Sequence, residues 1–182
     1  MRRLIGVVIS LSLLPLTWGA GQVPAQPSDA RLRALDVLWK AYTLYRTTGS
    51  VTEPLKGVNE ALKIDPDLAY ANIVRGEFAM KAQDWTTAKT SFERGLLLLK
   101  QPNQPLSPVR SATISPKEVE ADSRCFLGYV YVKLAQRANR EGQEAAEQRY
   151  LAQAQQNLRA GLSMNPGNEA RELAEGLLRM FR

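Results

Sequence analysis

The feature that most constrains the fold of this sequence is a short pattern that recurs along the chain. A small residue followed by Leu and then by a polar stop occurs at Ala61, Gly95 and Gly161. The first two of these positions are separated by about 34 residues, the period typical of helix–turn–helix repeats. Such repeats bury their apolar faces by stacking on one another. The pattern therefore predicts an all-α chain built from stacked helical hairpins.

Small and bulky residues precede the repeated positions at helical spacing. Phe92 and Ala88 lie three and seven residues before Gly95, and Leu and Ala lie at the same distances before Gly161. These spacings place the residues on one helical face, where the small ones allow two helices to approach closely. From residue 29 onward the chain is also dominated by good helix formers, namely Ala, Leu, Gln, Glu, Arg and Lys.

The second unit, residues 69–102, shows the pattern most completely. Its small, turn and bulky positions are occupied by Gly76, Asp84-Trp85, Ala88, Phe92 and Gly95. On these residues the chain resembles the tetratricopeptide-repeat family. The first unit departs from the family pattern, because Tyr42 stands in place of a small residue and Pro54 lies early in the second helix. Proline is tolerated in a first helical turn, where its missing N–H is not needed.

The resemblance implies a short right-handed α-solenoid of about three repeats followed by a C-terminal capping helix. The domain would occupy residues 26–182, with repeats at approximately 29–68, 69–102 and 115–168 and the capping helix at 168–181. Residues 101–115 contain three prolines and no helical period, which predicts a loop between the second and third repeats.

Two helix boundaries carry local signals. Ser115 followed by Pro116 and, three residues after the Ser, by Glu118 predicts a helix start with a capping box. The last segment has an apolar stripe of residues four apart, at Leu173, Leu177 and Phe181. Such a helix could cover the apolar face of the last repeat, as the end of a solenoid requires.

The third hairpin contains an insertion. The stretch from Gly128 to Gly161 is longer than the matching stretch from Gly76 to Gly95 by about 14 residues, which corresponds to about four helical turns. The additional residues, around 138–151, are rich in Ala, Glu, Gln and Arg, which favour helix. We therefore expect about two additional turns in each helix of this hairpin, with Glu141-Gly142 near its tip, in preference to a polar loop.

The N-terminus has the layout of a secretory signal. Two arginines precede an apolar run over residues 4–16, and Val23-Pro24-Ala25 fits a cleavage site, so residues 1–25 are predicted to be a signal peptide. Cleavage after Gly19 or Ala20, or retention as an uncleaved anchor, remains an alternative, although the run is short for a membrane span. The prediction implies export to the periplasm or secretion and no stable membrane insertion after cleavage; a bacterial origin is favoured, with a eukaryotic one left open.

Charge and reactive residues exclude several function classes. The chain has 24 basic and 18 acidic residues, of which the predicted signal peptide removes only Arg2 and Arg3, and the interspersed charges do not indicate a nucleic-acid partner. The chain has no His and a single Cys, Cys125, so a disulfide within the chain, a Cys/His zinc site and a His-dependent catalytic triad are impossible. The carboxylate pairs lie on predicted solvated helix faces. We therefore expect no enzymatic activity and no cofactor, and a buried apolar role for Cys125.

The resemblance also implies a binding groove lined by the first helix of each repeat. By this resemblance the groove-lining candidates are Trp39, Thr43, Arg46, Tyr70, Ile73, Glu77, Met80, Lys81, Cys125, Tyr129, Val132 and Lys133. For Trp39, Ile73 and Cys125, packing between repeats is an equal alternative. The basic residues with which some family members grip a C-terminal carboxylate are absent from the corresponding positions.

Three functions follow as hypotheses. The first is a non-catalytic adaptor in the cell envelope that holds a peptide or partner protein in the groove. The second is binding to a polyanion or envelope surface through excess basic residues such as Arg137, Arg140 and Arg149. The third is a structural subunit of a secretion or pilus-type assembly, which only fold-level analogy supports. Homodimerisation through an end face of the solenoid is left open.

Overall fold

The described part of the structure is entirely α-helical. A computed structural model describes residues 28–101, 104 and 115–181, and it contains no strand within these ranges. The helices in chain order are α1 (Asp29–Thr48), α2 (Thr52–Ile64), α3 (Ala69–Lys81), α4 (Trp85–Leu98), α5 (Pro116–Arg140), α6 (Glu144–Ser163) and α7 (Asn168–Arg179). This confirms the all-α prediction. The predicted signal peptide and most of the predicted loop at 101–115 lie outside the described residues.

The helices pack in the order in which they follow one another in the chain. The most extensive contacts are within the pairs α1–α2, α3–α4 and α5–α6, which form three antiparallel hairpins, and each hairpin contacts the next through α2–α3 and α4–α5. Helix α7 packs on both α6 and α5, and α3 also touches α5. The surface between α3, α5 and α7 is therefore built by helices from successive units.

The turns of the second and third hairpins have the same geometry. Both turns are three residues long, and their middle residues, Gln83 and Gly142, have left-handed backbone angles φ of 59° and 68°. In each turn the N–H of the third residue donates to a carbonyl five residues earlier, at 2.9 Å in one and 2.8 Å in the other. This hydrogen bond satisfies a carbonyl at the end of the first helix, as in a Schellman motif. Two hairpins of different length are thus closed in the same way.

The third hairpin is elongated as predicted. Helix α5 continues beyond Gly128 for about two turns more than α3 continues beyond Gly76. Likewise, α6 begins about two turns further ahead of Gly161 than α4 begins ahead of Gly95. The insertion is therefore shared equally between the two helices of the hairpin. The residues around 138–151 are helical except at the turn 141–143, so the alternative of a polar loop is wrong.

Glycines at the hairpin crossings let the paired helices approach closely. A Cβ added to Gly76 would lie 2.9 Å from the ring of Phe92, and one added to the equivalent Gly128 would lie 2.6 Å from the Cγ of Leu158. A large residue of one helix therefore fills the space that the glycine of the other leaves open. The first hairpin differs, because two small residues, Gly57 and Ala41, face each other at its crossing. A Cβ added to Gly57 would lie 2.8 Å from the Cβ of Ala41. The family pattern places the small residue of this helix at position 42, which is Tyr42, whereas in the structure the small residue at the crossing is Ala41.

The helix boundaries show which local signals act. Ser115 is the N-cap residue of α5 and Pro116 its first residue, but the Ser115 side chain makes no capping hydrogen bond, so the predicted capping box is not formed. In α7 the fully buried residues are Ala170 and Ala174. All three residues of the predicted stripe are partly buried, and two of them, Leu177 and Phe181, pack beside the buried alanines on the core. Small side chains at the centre of this face allow α7 to lie close to α5.

The central helices α3 and α5 bury residues on more than one face, because each packs against several neighbouring helices. None of the described helices combines the length and the apolar character that crossing a membrane would require. The fully buried side chains include Phe78 and Phe92, in the two successive clusters that join the hairpins.

Candidate functional site

Two adjacent cavities lie between helices α3, α5 and α7. The first has a volume of about 290 Å³ and the second about 230 Å³. Both are lined by Glu77 of α3 and Asp122 of α5, so the two cavities adjoin at these residues. We call this surface the α3–α5–α7 groove. Its lining residues are Tyr70, Ile73, Glu77, Met80, Lys81, Glu118, Val119, Asp122, Ser123, Phe126, Gly167, Glu169 and Ala170.

Asp122 connects two of the walls of the groove. Its carboxylate accepts a hydrogen bond of 2.8 Å from the backbone N–H of Gly167, which is the N-cap residue of α7. Burial raises the pKa of Asp122, the Gly167 hydrogen bond lowers it, and the nearby Glu118 and Glu169 raise it further. A negative charge at a helix N-terminus is favourable, so Asp122 helps to hold α7 beside α5.

Glu77 is the carboxylate that its surroundings perturb most strongly. Burial is the main reason that its pKa rises from 4.5 to about 7; Lys81 lowers it, and the negative charges of Asp122 and Glu169 raise it again. Glu77 therefore holds its proton at higher pH than an exposed carboxyl group does. A carboxyl group in this state can lose its proton when a cation approaches.

Lys81 lies at the edge of the second cavity, where it contacts α1. Its ammonium is 5.7 Å from the centre of the Tyr45 ring. A hydrogen bond with Tyr45 is the largest cause of its raised pKa, and the negative charge of Glu77 adds to it. The ammonium is therefore shared between the α1 side chain and the groove.

Ser123 is the residue with a buried hydroxyl among those that line the first cavity. Its side chain is 1% exposed, and its Oγ has no hydrogen-bond partner among the described residues. Leaving a buried hydroxyl unsatisfied costs about 1–3 kcal/mol. Such a group is either a cost of packing or a hydrogen-bonding partner for a ligand.

The structure brings together the five predicted groove residues of α3. Tyr70, Ile73 and Glu77 line the first cavity, and Glu77, Met80 and Lys81 line the second. Ile73 is nevertheless buried at 2% exposure, and its side chain packs against Gly95, so it acts chiefly as a packing residue.

The candidates on α1 do not line the groove. Trp39 is 41% exposed and Thr43 and Arg46 are also exposed, but none of the three belongs to either cavity. Trp39 is therefore one of the large apolar residues exposed on the surface of α1.

The candidates on α5 lie elsewhere on that helix. The ring of Tyr129 packs edge-on against Trp85 with centroids 5.9 Å apart, and the Lys133 ammonium lies 5.1 Å above the Tyr129 ring. Val132 is buried. Cys125 is also buried and faces Gly161, and burial raises the pKa of its thiol to about 11. Its burial agrees with the apolar role expected for it.

Sequence reasoning missed the acidic half of the groove. The lining residues that the prediction missed are Glu118, Val119, Asp122, Ser123, Phe126, Gly167, Glu169 and Ala170. A signal for Asp122 did exist, because it is as far along the chain from Tyr70 as Gly128 is from Gly76. Glu169 carried no such signal, since its place in the groove depends on how α7 folds back onto α5.

No family model, curated protein or solved structure matches this chain. Within the described residues, no three His, Cys, Asp or Glu side chains are grouped so that they could hold a metal ion. The chemistry of the groove is that of hydrogen-bond acceptors and negative charges between apolar walls. Such an arrangement can hold a positively charged or N–H-donating group.

The raised pKa of Glu77 makes the stability of the fold depend on pH. The folded-state pKa of Glu77, about 7, exceeds the usual 4.5. The contribution of Glu77 to the free energy of unfolding is therefore fully present below pH 4.5 and is lost as the pH rises through 7. Replacing Glu77 with Gln should remove this loss and raise the free energy of unfolding at pH 8 by on the order of 2 kcal/mol. Urea unfolding at pH 4.5 and pH 8 measures the difference.

The matched control for this prediction is Glu172→Gln, an exposed residue of α7. Its unfolding curve should follow that of the unmodified chain at both pH values. An equal loss of stability in Glu77→Gln at both pH values would contradict the prediction, because burial of the charge would then not be the cause.

Proposed function

We propose that this chain is a non-catalytic scaffold that binds a peptide segment of a protein partner in the α3–α5–α7 groove. The observation that carries the proposal is that the two cavities lie side by side, share Glu77 and Asp122 and are formed by helices from successive units. Peptide-binding grooves combine apolar anchoring positions with a few placed polar groups. Here the partly buried Met80 and Phe126 provide apolar surface beside the carboxylates.

The architecture we propose is a short right-handed solenoid of the tetratricopeptide type, with three repeats and α7 as the capping helix. It is supported by the matching turns at Gln83 and Gly142 and by the small–bulky pairs at the hairpin crossings. The contacts of α3 with α5 and of α5 with α7 also follow the order expected for the first helices of stacked repeats.

We further propose that the chain acts outside the cytoplasm, in the periplasm or after secretion. The support is the N-terminal arrangement of two arginines, an apolar run and a small-residue cleavage site within residues 1–25. An extracytoplasmic location would restrict the partner to other exported proteins.

The polyanion alternative has less support from the structure. Arg137 forms an ion pair of 2.7 Å with Glu141, and the guanidinium of Arg149 lies 5.6 Å from the centre of the Tyr150 ring. Two of the basic side chains on the third hairpin therefore already contact an acidic or an aromatic side chain of the same hairpin. A structural role in a larger assembly remains an alternative that no contact in the described residues favours.

Site-specific photo-crosslinking in the native host tests the proposed function. A photoreactive residue at Met80, in the second cavity, should give one discrete adduct. The same residue at Arg159, exposed on α6, is the control and should give none. An adduct only at Arg159, or none at Met80, would show that the groove does not hold the partner. Mass spectrometry of the Met80 adduct would identify that partner.

A further inference from the structure

Four carboxylates face the α3–α5–α7 groove from three different helices. They are Glu77 on α3, Glu118 and Asp122 on α5, and Glu169 on α7. Among the described residues that line the groove, Lys81 is the one basic residue, and its ammonium is shared with the Tyr45 ring. The whole chain has a net charge of +6, so the negative character of the groove is local. A locally negative groove on a basic protein attracts cations selectively to that place.

The hydroxyl of Ser123 is an observation independent of these charges. It is buried, lines the same cavity as Glu118 and Asp122, and has no partner among the described residues. A buried polar atom is normally hydrogen-bonded. Carboxylates and a free hydroxyl all accept hydrogen bonds, so a ligand that donates several N–H groups would satisfy the whole set.

The walls of the groove are apolar on either side of the acceptors. Ile73 and Val119 line the first cavity, and Met80 and Phe126 line the second. Ile73 and Val119 are buried, so the apolar surface that a ligand could contact is that of the partly buried Met80 and Phe126. A small cation alone would leave this surface without contacts, whereas a peptide could cover it and place a charged side chain between the carboxylates.

We propose that the groove binds an apolar peptide segment carrying one cationic side chain, a lysine or an arginine, which enters the cavity lined by Glu118, Asp122 and Ser123. This inference rests on the proposed function, because it names the chemistry of the segment that the scaffold holds. Charge complementarity selects the occupant, because the cavity is lined by the carboxyl groups of Glu77, Glu118 and Asp122 and, among the described residues, by no basic one.

Binding of the cationic side chain should be coupled to ionisation of Glu77. The groups that face Glu77 are Tyr70 and Lys81 on its own helix, Asp122 on α5 and Glu169 on α7. An arriving cation favours the ionised carboxylate, so binding releases a proton below pH 7 and the affinity should rise roughly fivefold between pH 6 and pH 8.

Fluorescence anisotropy with the full chain and two matched peptides tests the proposal. One is a short fluorescein-labelled peptide of Ala, Leu and Ser with a single central lysine, and the other carries norleucine in its place. The lysine peptide should bind about tenfold more tightly. Glu118→Gln should abolish most of this preference and leave binding of the norleucine peptide unchanged, whereas the control Glu172→Gln should leave both affinities unchanged.

Each result decides one question. Equal binding of the two peptides overturns the cation inference and leaves the peptide-binding function standing. Absence of binding by either peptide also overturns the inference, and the Met80 crosslinking then decides separately whether the groove holds a partner. If n-butylamine alone binds as tightly as the lysine peptide, the site is one for a free amine and the peptide inference is wrong. If the double variant Glu118→Gln/Ser123→Ala still binds the lysine peptide more tightly than the norleucine peptide, the cation binds elsewhere.

Discussion

Replacing Phe92 with alanine should lower the free energy of unfolding by about 4 kcal/mol, as loss of a fully buried aromatic side chain usually does. The Phe92 side chain is 0% exposed, packs under Gly76 and lies with its ring centre 6.4 Å from that of Phe126. It therefore joins the second hairpin to the third as well as α4 to α3. Because domains of this size are stable by only about 5–15 kcal/mol, the loss should be evident in urea unfolding followed by circular dichroism.

The control for Phe92 lies on the same helix. Leu97 is 55% exposed, so Leu97→Ala should change the free energy of unfolding by less than about 1 kcal/mol. Similar losses in the two variants would mean that α4 does not pack as described. The Phe92→Ala variant should also lose order at α5, which hydrogen exchange of the α5 amides can detect.

Gly161→Ala should destabilise the chain by about 3 kcal/mol, although it adds a single methyl group. The added Cβ would lie 2.5 Å from the Cys125 sulfur and 2.8 Å from the backbone oxygen of Ala121. The Cys125 side chain could rotate away from the added methyl group. The Ala121 oxygen belongs to the α5 backbone, so its clash with the methyl group can be relieved only by moving α5 away from α6. Urea unfolding measures the loss.

Two further variants make the Gly161 prediction specific. Gly176→Ala is the control, because a Cβ there meets no atom within 4 Å and the position is helical; it should stabilise the chain by up to about 1 kcal/mol through helix propensity. Combining Gly161→Ala with Cys125→Ala should restore only part of the lost stability, since the Ala121 oxygen remains. Complete restoration would show that the sulfur, and not the backbone, limits the approach of the helices.

The elements with strong local patterns were predicted well. The third hairpin shows this most clearly, because the additional residues between Gly128 and Gly161 are rich in helix formers and the structure divides them equally between α5 and α6. The capping box at Ser115 is not formed. A capping box needs particular side-chain and backbone angles, and the residue types make these angles possible without fixing them.

The groove was predicted on one side only. Positions on α3 such as Glu77 and Met80 could be placed from the repeat pattern, since residues of one helix keep fixed spacings. Tyr129 was assigned to the groove by the same pattern, yet its ring lies against Trp85. The longer α5 begins earlier than α3 relative to the shared glycine position, so additional residues at its start, including Glu118 and Val119, reach the groove.

The amino-acid sequence by itself determined the helical character of the chain, the hairpin periodicity and the length of the third hairpin. These properties depend on residue types and spacings within short segments, which act through helix propensity and periodic burial. The tertiary structure alone decided that four carboxylates and the Ser123 hydroxyl meet in one groove. Glu77 and Glu169 are far apart in the chain, and only the packing of α3 and α7 against α5, held in part by the Asp122–Gly167 hydrogen bond, brings them to the same surface.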